Sequence, residues 1–293
     1  MRVHLIDGTY ELFRAHFSKR PPRVDRDGRD VKATAGVVSS LLGLLHDEDE
    51  APTHVAVAFD NPIESFRNRM FAGYKDGSGV EPALRAQFDA VEEAVAALGV
   101  TVWSLDEHEA DDALATAAVA LAREEAVTQV RIMTPDKDLG QVVSGDRVVQ
   151  VDRRREVVLD EAGIVAKQGV PPTSIPDLLA LVGDTADGIP GLAGFGAKSA
   201  AAVLARYGHL EDVPDDAVDW DVPVRGAARL AGTLAAHREE ASLYRDLATL
   251  RTDVVLDLDL ERLAFSGVPR ERYLAWCDAL DLDTLRDRPQ RWS

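Results

Sequence analysis

The sequence predicts an α/β fold, in which a mostly parallel central sheet carries helices on both faces and is followed by a C-terminal helical region. Short β-branched runs alternate with helical stretches through the first half of the chain. This alternation is typical of parallel strands that are joined by crossover helices. In the second half, two helical patterns flank a glycine-rich hairpin. We therefore expect an α/β domain over residues 1–165 and a helical region over residues 166–293.

The predicted elements follow from the local patterns. Strands are predicted at Val3–Ile6, Val55–Phe59, Val100–Leu105 and Val130–Met133, where β-branched residues cluster. Helices are predicted at Ala33–His46, Ala83–Leu98, Ala113–Glu125, Thr173–Val182 and Ala197–Tyr207, the last of which ends at Gly208. Arg153–Arg155 lies between the apolar runs VVQV and VVL and predicts the turn of a hairpin.

Composition and charge narrow the class of protein. A hydrophobic content of 46% over 293 residues is typical of a soluble globular protein. Cys277 is the single cysteine, which excludes an internal disulfide and a cysteine-based zinc cluster. We expect neither a signal peptide nor a membrane span, and hence a cytoplasmic location. The net charge of −18 argues against a nucleic-acid partner at first. The sign is not decisive, because acids that hold a metal ion no longer repel phosphate.

Acidic residues follow four successive predicted strands. They are Asp7, Asp60, the group Glu109, Asp111 and Asp112, and the pair Asp136 and Asp138. The carboxyl ends of parallel strands form the ligand-binding edge of an open sheet. A single acid there is usually a turn former or a helix cap, and capping is the alternative for the group that precedes Ala113. Seven acids on one edge favour metal ligands instead. Mg²⁺ or Mn²⁺ is the expected type of ion, and the number of acids indicates two or more ions.

The segment 61–83 differs in composition from the rest of the first half. It contains the basic residues Arg67, Arg69 and Lys75, with Phe66, Phe71 and Tyr74 between them. Basic and aromatic side chains on one segment suit a nucleic-acid strand, through phosphate contacts and base stacking. Arg67 and Tyr74 are therefore predicted DNA contacts. A solvated surface excursion is the alternative.

A second motif lies at residues 173–208. Gly191, Gly194 and Gly196 allow the backbone to approach a ligand closely, and Lys198 stands in the first turn of the next predicted helix. Such a helix start can receive a phosphate. Asp184 and Asp187 precede the glycines at a spacing that can complete a second metal site. We therefore predict that this helix–hairpin–helix binds DNA.

These motifs together resemble the 5′-nuclease domain of bacterial DNA polymerase I and its stand-alone relatives in the flap-endonuclease superfamily. The stretches that carry the resemblance are LIDGTYELFRAHF, AVAFD, HEADD, TPDKDLGQVV and GDTADGIPGLAGFGAKSA, over roughly residues 1–260. The resemblance implies a PIN-like nuclease domain with an arch at about 61–83. It also implies a helix–three-turn–helix element that holds the duplex backbone, with K⁺ as a candidate ion bound by its carbonyls. It also implies that the metal ligands are Asp7, Asp60, Glu109, Asp111, Asp112, Asp136, Asp138, Asp184 and Asp187.

Three positions depart from the pattern of this family. The arch motif of the family usually reads Tyr-Lys-x-x-Arg, whereas this chain reads YKDGS and places Ser78 where the Arg stands. Gly188 replaces a usual Asn, and Pro135 replaces a usual Gly. The first change bears on catalysis, because an Arg there would stabilise negative charge on the scissile phosphate. Lys75 is retained, and we expect its positive charge to stabilise the scissile phosphate.

The resulting hypothesis is a structure-specific 5′ nuclease, a 5′–3′ exonuclease or flap endonuclease that acts by a two-metal mechanism on DNA with a free or flapped 5′ end. Arg14 is expected to contact the phosphate or brace the carboxylates, with a surface salt bridge as the alternative. The expected protein is a monomer without a membrane partner, which acts in replication or repair beside a separate DNA polymerase. The alternative functions are a PIN-like ribonuclease and a non-catalytic binder of branched DNA.

Overall fold

The computed structural model describes all residues from Met1 to Ser293. The strands are β1 (Arg2–Asp7), β2 (His54–Phe59), β3 (Thr101–Ser104), β4 (Gln129–Met133), β5 (Val148–Asp152) and β6 (Val157–Leu159). The helices are α1 (Gly8–His16), α2 (Lys32–Leu45), α3 (Phe66–Met70), α4 (Pro82–Arg85), α5 (Phe88–Ala97), α6 (Ala110–Leu121), α7 (Glu161–Gln168), α8 (Ile175–Val182), α9 (Ala197–Tyr207), α10 (Ala227–Ala236), α11 (Arg238–Ala248), α12 (Leu260–Leu263), α13 (Arg270–Ala279) and α14 (Asp283–Arg286). Short 3₁₀ segments lie at Asp138–Val142, Pro172–Ser174, Leu210–Asp212 and Ala217–Asp219.

The chain forms two compact units that each contain more than one stretch of sequence. Unit 1 comprises Met1–Glu64, Gly77–Thr134 and Thr252–Ser293, and unit 2 comprises Ser65–Asp76 and Pro135–Arg251. These units are groups of residues in space, whereas the boundary expected between residues 165 and 166 divides the chain by sequence order. That sequence boundary stays a prediction. No helix in either unit is long and apolar enough to span a bilayer.

Unit 1 is built on four parallel strands in the order β3-β2-β1-β4. In the register of this sheet, Leu5 lies opposite both Ala56 and Ile132. All six residues of β2 are buried, as expected for a strand that is covered on both faces by helices. The predicted α/β class with a parallel sheet is confirmed. Because the strands are parallel, their carboxyl ends share one edge.

One predicted helix of unit 1 is interrupted. The pattern over Ala83–Leu98 predicts a single helix, whereas the structure has α4 and α5 on either side of Gln87. The Gln87 side chain is buried, and its Oε1 accepts hydrogen bonds from the backbone N–H groups of Ala33 and Thr34 at 3.1 and 3.0 Å. Gln87 thus satisfies the start of α2, whose own N-cap residue Val31 provides no side-chain bond. Sequence periodicity does not detect this tertiary cap.

Unit 2 combines a β-hairpin with a helical core. Strands β5 and β6 pair antiparallel around the turn at residues 153–156, which confirms the predicted hairpin. Helix α9 begins and ends where the sequence predicts, and α8 is preceded by a 3₁₀ turn. Leu179, Leu204 and Leu234 belong to one buried apolar cluster that joins these helices to α10 and α11.

A buried polar network lies within the sheet of unit 1. Nε2 of His4 on β1 lies 2.9 Å from Oε2 of Glu50, and Nη2 of Arg131 on β4 donates to Oε1 of Glu50 at 2.9 Å. The hydrogen bond from His4, followed by that from Arg131 and its charge, lowers the pKa of Glu50 to about 2 although partial burial opposes the charge. Burial lowers the pKa of His4, so at pH 7 a neutral imidazole donates this hydrogen bond to the Glu50 carboxylate.

Replacement of Glu50 by Gln is expected to destabilise the protein in a pH-dependent way. The pKa of Glu50 falls from 4.5 to about 2 on folding, so its stabilisation is complete above about pH 4.5 and is lost as the pH falls towards 2. We expect Glu50→Gln to lower the free energy of unfolding by roughly 1–3 kcal/mol at pH 7, with a smaller difference below pH 4. Urea unfolding across pH 3–7 measures this. Exposed Glu48→Gln is the control, and equal pH profiles for the two variants would contradict the prediction.

Candidate metal centre and nucleic-acid interface

The carboxylates of unit 1 are held in place by backbone groups at the edge of the sheet. Asp7 ends β1, where its Oδ1 accepts from the N–H of Tyr10 at 2.8 Å and its Oδ2 accepts from Oγ1 of Thr134 at 2.9 Å. Asp60 follows β2, and its Oδ1 accepts from the N–H of Ala110 at 2.7 Å. Both carboxylates are thereby oriented by the strand ends from which they project.

The three acids at the start of α6 lie beside Asp60 at the edge of the sheet, because the N–H of Ala110 bonds to the Asp60 carboxylate. Asp112 is fully buried, and its Oδ2 accepts from the N–H of Glu109 at 3.1 Å. The capping alternative therefore describes part of the geometry of Asp112. Glu109 is buried and Asp111 is half-buried. Their clustering places several negative charges at the positive end of the helix dipole.

Unit 2 brings together carboxylates from two separate stretches of sequence. One oxygen each from Asp138, Asp184 and Asp187 lies within 4.8 Å of the others. Asp138 opens a 3₁₀ turn after β4, and Asp184 lies in the loop before the glycine-rich hairpin, where its backbone exchanges two 2.8 Å hydrogen bonds with Ile189. The predicted proximity of Asp184 and Asp187 to the Asp136–Asp138 stretch is thus present within this unit.

The electrostatics of this cluster favour a cation. Burial, and then the negative charge of Asp136, raise the pKa of Asp138 well above its usual range, with Asp187 and Asp184 adding to the rise and Lys137 opposing it. Oδ1 of Asp138 accepts no hydrogen bond and lies 3.4 Å from Nζ of Lys137. A buried carboxylate oxygen without a donor, beside two further carboxylates, is a donor set that suits a hard divalent cation.

Two lysines supply the positive charge that the cluster contains. Nζ of Lys75 lies 2.9 Å from Oδ1 of Asp187, and the Lys75 N–H donates to the carbonyl of Asp187 at 3.1 Å. Lys137 donates to Asp184. Burial opposes the charge of Lys137, but the carboxylates of Asp138, Asp184 and Asp136 raise its pKa above the usual value. The sequence predicts a role for Lys75 but gives no signal for Lys137, although Lys137 stands between the two predicted ligands Asp136 and Asp138.

Two glycines of the helix–hairpin–helix element allow close packing within the protein itself, whereas their predicted approach to a ligand stays a prediction. Gly191 has φ +71°, and a Cβ there would lie 2.5 Å from the backbone of Val182 and Gly183. Gly194 has φ +93° and lies against the guanidinium of Arg229 on α10, a neighbour that the sequence motif does not indicate. Gly196 and Lys198 are exposed at the start of α9. This exposed helix start is the part of unit 2 that can receive a phosphate.

Two predicted DNA contacts of the arch segment do not fit the structure. Arg67 is 1% exposed, and its guanidinium donates to the carbonyls of Leu247 and Thr249 at 2.8 and 3.0 Å. Tyr74 is 5% exposed and belongs to the apolar cluster of unit 2. Both residues anchor the segment 65–76 to their own unit, so they are not available to a DNA strand in this structure. Composition alone could not separate these anchors from surface residues.

The remaining catalytic candidate, Arg14, is held within unit 1. Its Nη2 donates to Glu11 on the same helix and to Oγ of Ser40 on α2 at 2.8 Å. Glu11 is buried, and about a third of the Arg14 side chain is exposed. Arg14 therefore forms an ion pair, but with a buried carboxylate, so it is not the surface salt bridge that the sequence predicts as the alternative.

Gly188 shows why the loop before the hairpin departs from its usual sequence. Its φ is +79°, a conformation that Asn also tolerates, but a Cβ at this position would lie 2.0 Å from the carbonyl oxygen of Gly73. The loop that carries Asp184 and Asp187 therefore packs directly on the backbone of the arch segment within unit 2. A side chain here requires the two backbones to separate.

Substitution Gly188→Ala is expected to lower the free energy of unfolding by at least about 2 kcal/mol, because it adds left-handed strain to a backbone clash. Thermal unfolding measures the effect. Gly232→Ala is the matched control, since Gly232 lies inside α10 with no atom within 4 Å of an added Cβ. This control should be neutral or stabilising by up to about 1 kcal/mol. If Gly188→Ala has the same melting temperature as wild type, the close contact between Gly188 and Gly73 does not limit the side chain at this position.

Comparison with known proteins agrees with the motifs. The family model described as 5′-3′ exonuclease, N-terminal resolvase-like domain, matches residues 2–169, and that described as 5′-3′ exonuclease, C-terminal SAM fold, matches residues 170–271. DNA polymerase I of Pseudomonas aeruginosa is 37% identical over 281 residues, covering 92% of this chain and 29% of the relative. DNA polymerase I of Rhizobium leguminosarum is 33% identical over 292 residues, covering 98% of this chain and 28% of the relative. The chain thus spans less than a third of these relatives, and the predicted resemblance is confirmed.

Solved structures support the fold. Zinc-bound T5 5′-exonuclease superposes with a TM-score of 0.65 at 18% identity, covering 95% of this chain and 99% of the other. The catalytic core of Rad2 in complex with DNA substrate superposes with a TM-score of 0.60 at 15% identity, covering 95% and 86%. At these identities the similarity concerns the fold, which includes the predicted C-terminal helical region.

Proposed function

This chain belongs to the 5′-3′ exonuclease family, and on that premise we propose that it is a structure-specific 5′ nuclease that hydrolyses DNA with a free or flapped 5′ end. The observation that carries the proposal is the buried carboxylate cluster of Asp138, Asp184 and Asp187. Burial and the neighbouring carboxylates raise the pKa of Asp138, and such a buried acid is costly to fold unless a cation or a reaction makes use of it.

The proposed ligand sets follow the two units. In unit 2, Asp138, Asp184 and Asp187 would hold one divalent cation, with Asp136 beside them. In unit 1, the second set comprises Asp7, Asp60, Glu109, Asp111 and Asp112. We propose Mg²⁺ or Mn²⁺ as the ions, because every ligand is an oxygen. Such ions, when bound, lower the pKa of water and stabilise negative charge on phosphate oxygens.

The side chains of the protein supply the remaining chemistry. Lys75 contacts the cluster through its ion pair with Asp187, and its side chain is 28% exposed. Its ammonium can therefore reach a phosphate that enters the site. In this proposal Lys75 neutralises the scissile phosphate, a role that Ser78 cannot share. Arg14 is proposed as a further phosphate contact, because about a third of its side chain stays exposed beside its ion pair with Glu11. Lys137 keeps the carboxylates together by countering their repulsion.

The hairpin before α9 is proposed to hold the duplex. The residues at the start of α9 are exposed, and their N–H groups and the side chain of Lys198 would bind backbone phosphate, with K⁺ proposed at the hairpin carbonyls. The T5 flap endonuclease with DNA and metal ions and the Rad2 core with DNA substrate share this fold. Because the curated relatives are named DNA polymerase I, we propose a DNA polymerase as the functional partner in replication or repair.

Replacement of Asp138 by Asn tests the nuclease directly. Asn keeps the shape of the side chain but removes the negative charge and one oxygen of the metal ligand, so cleavage of an end-labelled 5′-flap duplex in Mg²⁺ or Mn²⁺ should fall at least about 100-fold. Binding of the same DNA in Ca²⁺ should change less than about threefold. The matched control is Asp216→Asn, an exposed N-cap in the same unit whose acceptor role Asn preserves.

The outcomes separate the alternatives. Cleavage by wild type and by Asp216→Asn, but not by Asp138→Asn, supports the proposal. Binding of flap DNA without cleavage in either metal would favour a non-catalytic binder of branched DNA. Selective cleavage of single-stranded RNA would favour a PIN-like ribonuclease. Equal cleavage by Asp138→Asn and wild type would remove the cluster of unit 2 from the mechanism.

Replacement of Lys198 by Gln tests the proposed duplex contact. Loss of one phosphate contact should weaken DNA binding in Ca²⁺ by roughly three- to tenfold and reduce the slope of log Kd against log salt by about 1. The rate at saturating DNA should stay the same. Exposed Lys167 on α7 provides the matched control Lys167→Gln. If both variants have the same salt slope as wild type, the start of α9 does not contact phosphate.

A further inference from the structure

Unit 1 contains a basic cavity of about 490 Å³ that the proposed nuclease chemistry does not use. We call it the basic pocket. It lies among the segment before α2, one face of α2, and α14 near the C-terminus. Four cations line it, namely Arg20, Arg23, Lys32 and Arg288, and no acidic residue is among the lining residues. The volume lies within the range of roughly 300–1,000 Å³ that is usual for small-molecule sites.

The cations of the basic pocket have no carboxylate partner. Nη1 of Arg23 donates to Oγ1 of Thr284 at 2.9 Å, and Nζ of Lys32 donates to the carbonyls of His16 and Ser18 at 2.6 and 2.9 Å. Arg288 donates to Oγ of Ser39. These partners are neutral acceptors, so they orient the positive charges without neutralising them. The Arg20 side chain makes neither a hydrogen bond nor an ion pair, and its stem lies near Gly36.

The neighbouring arginines show that this lack of counter-charge is local. Arg26 pairs with Asp281, and Arg29 pairs with both Asp25 and Asp27. Asp25, Asp27 and Asp281 are therefore paired with arginines outside the basic pocket. In a chain with 51 acidic and 33 basic residues, four cations that line one cavity without an acid form an unusual concentration of positive charge. Such a cavity selects an anion.

We propose that the basic pocket binds a nucleotide unit through its phosphate. Guanidinium groups match the oxygens of a phosphate bidentately, and Ser39 and Thr284 add hydroxyl groups. Pro21, Pro22 and Leu285 supply apolar surface for the sugar or base. The nucleotide comes either from a free mononucleotide or from a DNA strand. The inference stands on the chemistry of the pocket and does not depend on the metal centre.

Binding of thymidine 5′-monophosphate in EDTA tests the proposal without nuclease activity. Calorimetry on the full chain should show that wild type binds the nucleotide. The Kd of the double variant Arg20→Gln, Arg288→Gln should be about tenfold higher. Arg20→Gln alone breaks no hydrogen bond, so it should keep the melting temperature of wild type and still weaken binding several-fold. Arg123→Gln is the control, because it removes the same charge from an exposed site of unit 1 outside the pocket.

A second arm identifies the source of the nucleotide. Each variant is titrated with flap DNA in Ca²⁺, and the salt dependence of Kd is recorded. Selective loss of mononucleotide binding in Arg20→Gln supports a free ligand, and selective loss of DNA affinity supports a strand. The proposal is overturned if Arg20→Gln and Arg123→Gln have the same affinity for the mononucleotide and the same affinity for flap DNA. It is also overturned if wild type binds no mononucleotide and Arg20→Gln leaves DNA binding unchanged.

Discussion

Repulsion among buried carboxylates is the constraint on which the candidate site depends. Asp138 is buried beside Asp136, Asp184 and Asp187, and its raised pKa expresses how unfavourable its negative charge is there. Two ammonium groups, those of Lys75 and Lys137, offset part of this charge. These close carboxylates are therefore unfavourable for folding in the absence of a cation. A cation that binds among them relieves their repulsion.

The backbone holds this arrangement in place. The paired hydrogen bonds between Asp184 and Ile189, and the bond from the Lys75 N–H to the Asp187 carbonyl, fix the loop through main-chain groups. The contact between Gly188 and Gly73 adds a steric limit, because the two backbones meet where a side chain has no room. Carboxylates that repel one another would spread apart on a flexible loop. On this loop they stay within reach of one ion, which is the preorganisation that metal binding and phosphoryl transfer both require.

The parts of the structure that the sequence predicts are those that depend on local patterns and on fold topology. Parallel strands share a carboxyl edge, so acids after Val3–Ile6 and Val55–Phe59 indicate a site before any coordinates are known. The limits of α9 follow from Gly196 and Gly208 in the same way. Arg67, Tyr74 and Gln87 are different, since each is buried by partners far away along the chain. An arginine between aromatic residues has the same local signature whether it faces DNA or carbonyl groups of its own unit.

Charge distribution illustrates the same limit. The net charge of −18 is a sum over the whole chain, of which the acids at the strand ends and the cations of the basic pocket are only small, separate parts. What a ligand meets is the set of charges that local neighbours leave uncompensated, within about one Debye length. Arg26 and Arg29 have acidic partners and contribute little field, whereas Arg20, Arg23, Lys32 and Arg288 have none and contribute fully. The sign of the whole chain therefore does not determine the class of its ligands, because an acidic protein can present both a cation site and an anion site on the same polypeptide.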